Sequence, residues 1–322
     1  MLSEFTLISR YFERPARPDG RVVLGVGDDC ALVQTTPGMQ TAISTDMLVE
    51  GRHFFPGADP HLLGHKCLAV NLSDLAAMGA TPIGFTLALA LPSVEESWLA
   101  AFSAGMFALA DTYGCELIGG DTTKGPLTIS ITVFGEVPAG QALRRDAALP
   151  GDDIWISGTL GDARLALAAY RKELSLSSEA LDAVAMRMHA PSPRLALGTA
   201  LRGIAHAAID ISDGLVGDLG HILKRSGVGA RLDVDALPLG STLQGQAQPL
   251  RRAFALAGGD DYELCFTASE QHRDVVLEAA QRAAIPVTRV GSIVVEPGLK
   301  LIDAGGTIIE LSLRSFDHFS SL

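Results

Sequence analysis

Hydrophobic and polar positions follow two different patterns along the chain, and each pattern predicts a different kind of secondary structure. Apolar runs rich in β-branched residues are typical of strands, whereas apolar residues three and four positions apart are typical of amphipathic helices. Helical periodicity in the first half is clearest in His61–Met78 and Glu95–Tyr113. The predicted strands of that half are Val22–Val26, Thr41–Ser44, Phe85–Leu91, Glu116–Ile118 and Thr128–Val137.

The second half begins after a turn-rich segment, Ala147–Asp153, and again mixes the two patterns. Its predicted helices are Asp162–Lys172, Ser178–His189, Arg194–Ile204, Leu215–Ser226 and Glu270–Ala283. Its predicted strands are Ile154–Ser157, Ala207–Asp210, Ala230–Val234, Glu263–Thr267, Val287–Val290 and Leu299–Ile302. We therefore expect an α/β (α+β) protein with two domains, residues 1–149 and 150–322.

Composition and charge narrow the class of protein. Of the 322 residues, 48% are hydrophobic and 19% are charged, which is typical of a globular chain. The net charge of −12, from 37 acidic and 25 basic side chains, argues against a nucleic-acid partner, because such binding depends on clustered Lys and Arg. The four cysteines are scattered singly, so we expect reduced structural thiols in a cytoplasmic protein and no zinc site.

The start of the chain shows no signal-peptide pattern. The longest apolar run, around Phe85–Leu91, lies between two prolines and is much shorter than the roughly 20 residues that span a bilayer. These observations predict a soluble protein without a membrane partner.

Acidic motifs recur where a predicted strand meets a turn, and they carry the candidate chemistry. They are Gly27-Asp28-Asp29, Ser44-Thr45-Asp46, Gly119-Gly120-Asp121 and Asp210-Ile211-Ser212-Asp213-Gly214. Asp74 adds a carboxylate beside the apolar stripe of His61–Met78. Hard divalent cations prefer such oxygen ligands on rigid supports, and two carboxylates about 4 Å apart would otherwise repel by roughly 4 kcal/mol. Convergence of these motifs would make the protein a magnesium-dependent enzyme that acts on phosphates.

Each motif also has a plainer interpretation. Gly-Asp and Gly-Gly pairs are common in ordinary turns, and Ser212 or Asp213 could merely cap the helix that follows. Asp74 could pair with a basic side chain, and Gly258–Glu263 could be a plain acidic turn or could position a substrate. His53 could contact a ligand or be structural. No P-loop pattern and no nucleophile–base arrangement is evident in the sequence, so bound ATP would depend on carboxylate-held metals.

Taken together, the motifs resemble the thiamine-monophosphate kinase family, which belongs with the aminoimidazole ribonucleotide synthetase and selenophosphate synthetase superfamily. The matching segments follow the family order and spread over nearly the whole chain. They are Gly25–Leu32, Ala42–Asp46, Leu68–Gly79, Leu117–Thr123, Ile209–Gly220, Gly258–Phe266 and Phe316–Phe319.

This resemblance implies ATP-dependent phosphorylation of thiamine monophosphate to thiamine diphosphate, with several magnesium ions and direct transfer to the acceptor. The implied metal ligands are Asp28, Asp29, Ser44, Thr45, Asp46, Asp74, Asp121, Asp210 and Asp213. The implied ATP contacts are Gly120, Asp121, Arg145 and Ser212, and the implied thiamine-phosphate contacts are His53, Asp260 and Phe316. Among these residues, Asp121, Asp210 and Arg145 would act most directly on the transferred phosphoryl group.

The resemblance further implies a homodimer whose N-terminal domains build a joint β-barrel. Two residues depart from the family pattern, because glutamate is frequent at Asp260 and a larger polar aromatic residue at Phe316. Three alternatives remain open: another enzyme of the superfamily, a non-catalytic nucleotide or metal sensor, and an ordinary acidic globular protein. Selenophosphate synthetase is disfavoured because it needs an N-terminal reactive cysteine or selenocysteine, whereas the first cysteine here is Cys30.

Overall fold

The computed structural model describes residues 4–15, 17 and 20–311, and the chain divides into two compact units. Unit 1 comprises the chain up to Leu75 together with Ala80–Gly140, and unit 2 comprises Ala76–Gly79 and the chain from Gln141 onward. None of the helices in these described ranges is long and apolar enough to cross a membrane.

Unit 1 is built on a four-stranded sheet with the order β3-β6-β4-β5, in which only the β4–β5 pair is parallel. A separate pair, β1 and β2, is antiparallel. The helices are α1 (Glu4–Tyr11), α2 (Pro60–Ala77) and α3 (Glu96–Tyr113). The strands are β1 (Val22–Leu24), β2 (Leu32–Val33), β3 (Met39–Val49), β4 (Thr81–Leu91), β5 (Glu116–Lys124) and β6 (Thr128–Pro138).

One face of this sheet is buried, because every second residue along β4 and β6 is apolar and inaccessible. The predicted apolar stripe of α2, formed by Leu68, Leu72 and Leu75, is confirmed as buried. Helices α2 and α3 approach closely at two glycines: a Cβ on Gly64 would lie 2.1 Å from the Phe102 carbonyl oxygen. The second glycine, on α3, faces the backbone of α2 in the same way, so small residues set this helix contact.

Unit 2 contains a seven-stranded sheet with the order β13-β12-β9-β11-β7-β10-β8, and its only parallel pair is β9–β12. The strands are β7 (Asp152–Ser157), β8 (Ala205–Asp210), β9 (Gly229–Asp233), β10 (Leu264–Ser269), β11 (Val287–Val294), β12 (Gly298–Ile302) and β13 (Ile308–Ile309). The helices are α4 (Asp162–Tyr170), α5 (Ser178–His189), α6 (Leu195–Ala200), α7 (Leu215–Ser226), α8 (Ser241–Gln244), α9 (Gln248–Ala257) and α10 (Arg273–Ala283). Apolar residues of β7, β8 and α7 share one core.

The two-domain α/β class agrees with the sequence prediction, but the predicted ends of several strands and helices were wrong. β3 continues through Ser44-Thr45-Asp46 to Val49, and β5 continues through Gly119-Gly120-Asp121 to Lys124, so neither motif lies at a strand end. The two motifs are polar, so they lack the alternation of apolar and polar residues by which a strand is recognised in a sequence. Their backbone nevertheless stays paired with a neighbouring strand. Helices α1, α8 and α9 were not predicted, and α6 is shorter than expected.

Candidate functional site

In unit 1, the Ser44-Thr45-Asp46 motif joins the edge strand β3 to helix α2. The Ser44 hydroxyl donates a 2.5 Å hydrogen bond to Oδ2 of Asp74. One turn earlier on α2, Oδ1 of the buried Asn71 accepts from the backbone N–H of Asp46 at 3.1 Å. The structure therefore brings two predicted ligands, Ser44 and Asp74, into direct contact and fixes the backbone of a third.

Thr45 projects to the other face of β3, because side chains alternate along a strand. Its hydroxyl lies 2.8 Å from that of Thr132 on β6, which is the residue paired with it in register. Both hydroxyls are therefore separated by the sheet from the Ser44–Asp74 contact.

Asp121 lies on the other edge strand, β5. It is exposed and pairs in register with Ala88, which is the exposed residue between the buried Leu87 and Leu89 of β4. A Cβ on Gly120, whose φ is 146°, would lie 1.8 Å from the Leu87 carbonyl oxygen. Glycine is therefore required at 120 by strand packing, whether or not a phosphate approaches there.

Asp28 and Asp29 lie in an exposed loop of unit 1. The backbone N–H of Asp29 donates to Oδ1 of Asp28 at 2.8 Å, which is a local turn interaction. The contact agrees with the plainer turn interpretation and does not test a ligand role.

His53 closes the tight turn that follows β3. Its Nδ1 accepts from the backbone N–H of Val49 at 2.9 Å, and its own backbone N–H donates to the Val49 carbonyl oxygen. This contact requires an unprotonated Nδ1, so the neutral ring carries its proton on Nε2. The half-buried imidazole thus has a structural role and a defined tautomer.

In unit 2, Asp210 ends β8 and is 4% exposed, and the loop that follows leads into α7. The loop is held closely, because a Cβ on Gly259 would lie 2.6 Å from the carbonyl oxygen of Ser212. Gly214 has a φ of 111° and precedes the first residue of α7. The N-cap residue of α7 is Gly214 and not Ser212 or Asp213, which the plainer interpretation of the motif had offered as caps.

A side chain of the helix instead binds the backbone of the loop that precedes it. Asp218, in the first turn of α7, accepts the backbone N–H groups of Ser212 at 3.0 Å and Asp213 at 3.1 Å through Oδ2. Burial raises the pKa of Asp218 to about 7, against the effect of these hydrogen bonds and of the charge of Arg145. The sequence prediction did not include Asp218, because its place among apolar residues of an amphipathic helix gives no sign of this contact.

Arg145 also lies in unit 2. It is exposed, and its carbonyl oxygen accepts from the hydroxyl of Ser226 at the end of α7. The neighbouring Asp146 is engaged by Arg144, with Nε at 2.8 Å. The guanidinium of Arg145 is therefore not tied to that adjacent carboxylate.

Asp260 belongs to a loop whose backbone is strained. Asp260 and Tyr262 have φ values of 68° and 50°, which L-residues adopt at a cost of about 1–3 kcal/mol each. The hydroxyl of Tyr262 donates to Oδ1 of Asp260 at 3.3 Å. The loop holds this strain because backbone hydrogen bonds tie it to Ile211 and Ser212.

Buried carboxyl groups of the same motif, Asp261 and Glu263, support that loop, and their partners were absent from the sequence prediction. Glu263 is fully buried; Arg194 Nε donates to its Oε2 at 2.6 Å, and Arg187 donates to its Oε1 at 2.6 Å. Asp261 accepts from the Gly161 backbone N–H at 2.9 and 3.0 Å. Burial raises the pKa of Asp261 well above its ordinary value. Sequence spacing did not reveal these partners, because the arginines lie about 70 residues away along the chain.

The side chains of the predicted metal ligands fit magnesium, since each is an Asp, Ser or Thr that offers a carboxylate or hydroxyl oxygen. Within the described part of the chain, however, no group of three or more His, Cys, Asp or Glu side chains is placed closely enough to hold a metal ion. Phe316 lies outside the described residues.

Comparison with known proteins gives a consistent result over both halves of the chain. Residues 27–137 match the model of the AIR synthase related protein, N-terminal domain, and residues 150–304 match that of the C-terminal domain. The chain is 48% identical to the thiamine-monophosphate kinase of Salmonella typhimurium, and the match covers 99% of this chain and 98% of the relative.

Two solved structures agree with this. The thiamine-monophosphate kinase from Stenotrophomonas maltophilia K279a superposes with a TM-score of 0.84 at 47% identity, over 88% of this chain and 92% of the other. AaThiL complexed with AMPPCP and TMP has a TM-score of 0.76 at 31% identity, over 91% and 92% of the two chains.

Proposed function

The chain belongs to the thiamine-monophosphate kinase family, and we propose that it phosphorylates thiamine monophosphate with ATP to give thiamine diphosphate and ADP. The observation that carries this proposal is 48% identity to a thiamine-monophosphate kinase over almost the full length of both chains. A structural relative in complex with AMPPCP and TMP supports the same pair of ligands.

The reaction is a direct in-line displacement. An oxygen of the acceptor phosphate forms the bond to the γ-phosphorus while the bond to the β–γ bridging oxygen breaks, and ADP leaves. With a second pKa of about 6, the acceptor phosphate is already ionised near neutral pH, so no dedicated general base is needed. The protein therefore contributes mainly position and charge.

Several magnesium ions belong to this proposal. The residues that would hold them are Asp28, Asp29, Ser44, Thr45, Asp46, Asp74, Asp121, Asp210 and Asp213. Bound magnesium would neutralise phosphate charge and so reduce the repulsion between two anionic substrates. The contact between Ser44 and Asp74 supports this role, because it places two hard oxygen donors side by side before any cation binds.

For ATP, we propose contacts from Gly120, Asp121, Arg145 and Ser212. Arg145 offers a planar guanidinium that can bind phosphate oxygens in a bidentate way. Its exposure, and the pairing of Asp146 with Arg144, support this assignment. Asp121, Asp210 and Arg145 would act most directly on the transferred phosphoryl group.

For thiamine monophosphate, we propose contacts from His53, Asp260 and Phe316. The cationic thiazolium suits an acidic pocket with an aromatic edge. The hydrogen bond from Tyr262 supports a fixed position for the Asp260 carboxylate. Asp260→Ala should raise KM for thiamine monophosphate, and an unchanged KM would remove Asp260 from this pocket.

We place the protein in the cytoplasm as a homodimer. The four-stranded sheet of unit 1 leaves apolar side chains uncovered, with Ile43 62% and Met47 57% exposed on β3. Apolar residues in this position support a partner sheet, such as the joint barrel that the family resemblance implies.

Thiamine diphosphate formation by the purified protein tests the proposed function. We expect product with ATP, magnesium and thiamine monophosphate, and none with thiamine as acceptor. A chelator or Asp121→Asn should reduce turnover by about a hundredfold or more, since a charged group at the phosphates is lost. Absence of product despite magnesium-dependent nucleotide binding would favour a sensor or another enzyme of the superfamily.

A further inference from the structure

The loop from Ile211 to Asp213 has its backbone polar groups almost fully engaged. Three of its hydrogen bonds are to backbone atoms: Ile211 N–H to the Glu263 carbonyl oxygen, and the carbonyl oxygens of Ile211 and Ser212 to Tyr262 and Asp260 N–H. These three bonds hold the loop on the side that faces residues 260–263. They leave the N–H groups of Ser212 and Asp213 to be satisfied from elsewhere.

Those two N–H groups both go to one side-chain atom, Oδ2 of Asp218. The carboxylate is 4% exposed, so it has given up most of its hydration to make this contact. Hydrogen bonds to a carboxylate are stronger than those to a neutral acceptor, and two of them on consecutive residues fix the orientation of the peptide plane between Ser212 and Asp213.

We propose that Asp218 is a positioning residue for nucleotide and metal binding, acting through the backbone of Ser212 and Asp213. This inference rests on the proposed function, in which Ser212 contacts ATP and Asp213 holds metal. Asp218 touches neither ligand in this scheme. It holds the loop from the helix side while residues 260–263 hold it from the other side.

Helix α7, which carries Asp218, also contacts a third residue of the proposed site. Burial raises the pKa of Asp218, and the positive charge of Arg145 lowers it. At the other end of α7, the hydroxyl of Ser226 donates a hydrogen bond to the carbonyl oxygen of Arg145. One helix therefore fixes the loop at its start and the backbone of the proposed phosphate-binding arginine at its end.

Asp218→Ala tests the proposal, with Asp153→Asn as the matched control. Asp153 is equally buried in unit 2, but its carboxylate pairs with Arg273 and Arg289 and has no contact with the loop. Three quantities are measured for each variant: Kd for a non-hydrolysable ATP analogue with magnesium, hydrogen–deuterium exchange of a peptide covering residues 209–216, and Tm.

We expect Asp218→Ala to raise Kd for the analogue about tenfold to a hundredfold, because the two hydrogen bonds that hold the loop are lost. Exchange should accelerate in the 209–216 peptide, because the loop loses the contacts that hold it from the helix side. Asp153→Asn should lower Tm without changing Kd for the analogue or exchange in that peptide. An analogue Kd within about twofold of the parent value, or unchanged exchange, would overturn the proposal.

If Asp218→Ala does not fold, Asp218→Asn gives the same test, because the amide keeps the shape and one acceptor oxygen but loses the charge. It should raise Kd for the analogue by a smaller factor, and an unchanged Kd would again overturn the proposal. Binding and exchange are measured without turnover, so they remain informative about Asp218 even if the parent protein forms no thiamine diphosphate. That last result would count against the proposed function alone.

Discussion

Carboxylates of this protein differ in burial, and the difference changes their expected titration. Asp28, Asp29 and Asp121 are exposed. Asp162 and Asp261 are buried, and burial raises the pKa of each. A sequence motif does not separate the groups, because each contains Asp next to Gly or another Asp. Burial is set by contacts with distant parts of the chain.

Asp162 makes the stability of the folded protein depend on pH. Its Oδ1 is buried without a hydrogen-bond partner, while Thr159 donates to Oδ2 at 3.1 Å. Burial raises its pKa above that of an unfolded aspartate, which is about 4, although Thr159 and Arg187 act in the opposite direction. The folded protein thus keeps the proton to higher pH than the unfolded chain, so this group makes stability fall as pH rises above about 4.

Asp162→Asn removes that titration. We expect its Tm relative to the parent to be higher at pH 8 than at pH 5, as followed by thermal unfolding at both values. Asp146→Asn is the control, because Asp146 is exposed and Arg144 holds its pKa below the usual range, so no gain at pH 8 is expected. A Tm difference for Asp162→Asn that is equal at the two pH values would contradict the assignment.

Among the elements, the amphipathic helices were predicted best from the sequence. The predicted helices at α2, α3, α5 and α7 agree with the structure to within one or two residues at each end, because each has a buried apolar face. β3 and β5 were predicted too short, since polar residues interrupt the apolar pattern within a strand that stays paired. The site follows the same division, because the motifs contain the proposed ligands but not the residues that support them. The contacts of Asn71 and Arg194 were missed because tertiary packing brings these residues to the motifs. Asp218 is close in sequence to Ser212, and it was missed because an acidic residue on an amphipathic helix gives no sign of such a contact.

The conformation of β5 depends on the close approach of Gly120 to β4. Gly120→Ala would place a Cβ against the Leu87 carbonyl oxygen on β4 and would hold alanine at a φ of 146°. We expect the free energy of unfolding to fall by about 2 kcal/mol or more, and turnover to fall because Asp121 follows directly. Chemical unfolding with a kinase assay measures both quantities.

Gly119→Ala is the control for that substitution, because a Cβ there has as its nearest neighbour the Thr86 Cγ2, at 4.0 Å. It should change the free energy of unfolding by less than about 1 kcal/mol. Equal losses from the two substitutions would show that the Leu87 contact does not decide the conformation of β5.

The whole molecule raises the question of what covers the open face of the sheet in unit 1. Ile43 is 62% exposed on β3, and the residues beside it on that face include Thr45 and Met47. An apolar strand face of this kind, at the edge of a sheet, favours association and would be a liability in an isolated chain. If two copies pair through these sheets, the contact is isologous, so the same surface of each copy takes part. The interface then contains one Ile43 from each copy.

Ile43→Asp therefore tests assembly. Two carboxylates would meet across a two-fold interface, and we expect the variant to sediment as a monomer at concentrations where the parent protein is a dimer. Met186→Asp is the matched control, since Met186 is 50% exposed on α5 of unit 2 and should leave the sedimentation coefficient unchanged. A monomeric parent protein, or a dimer that persists in Ile43→Asp, would require another cover for this face. Because the substitution leaves the Ser44–Asp74 pair and the proposed phosphate contacts in place, kinase activity of the monomer would then report whether each site is complete within one chain.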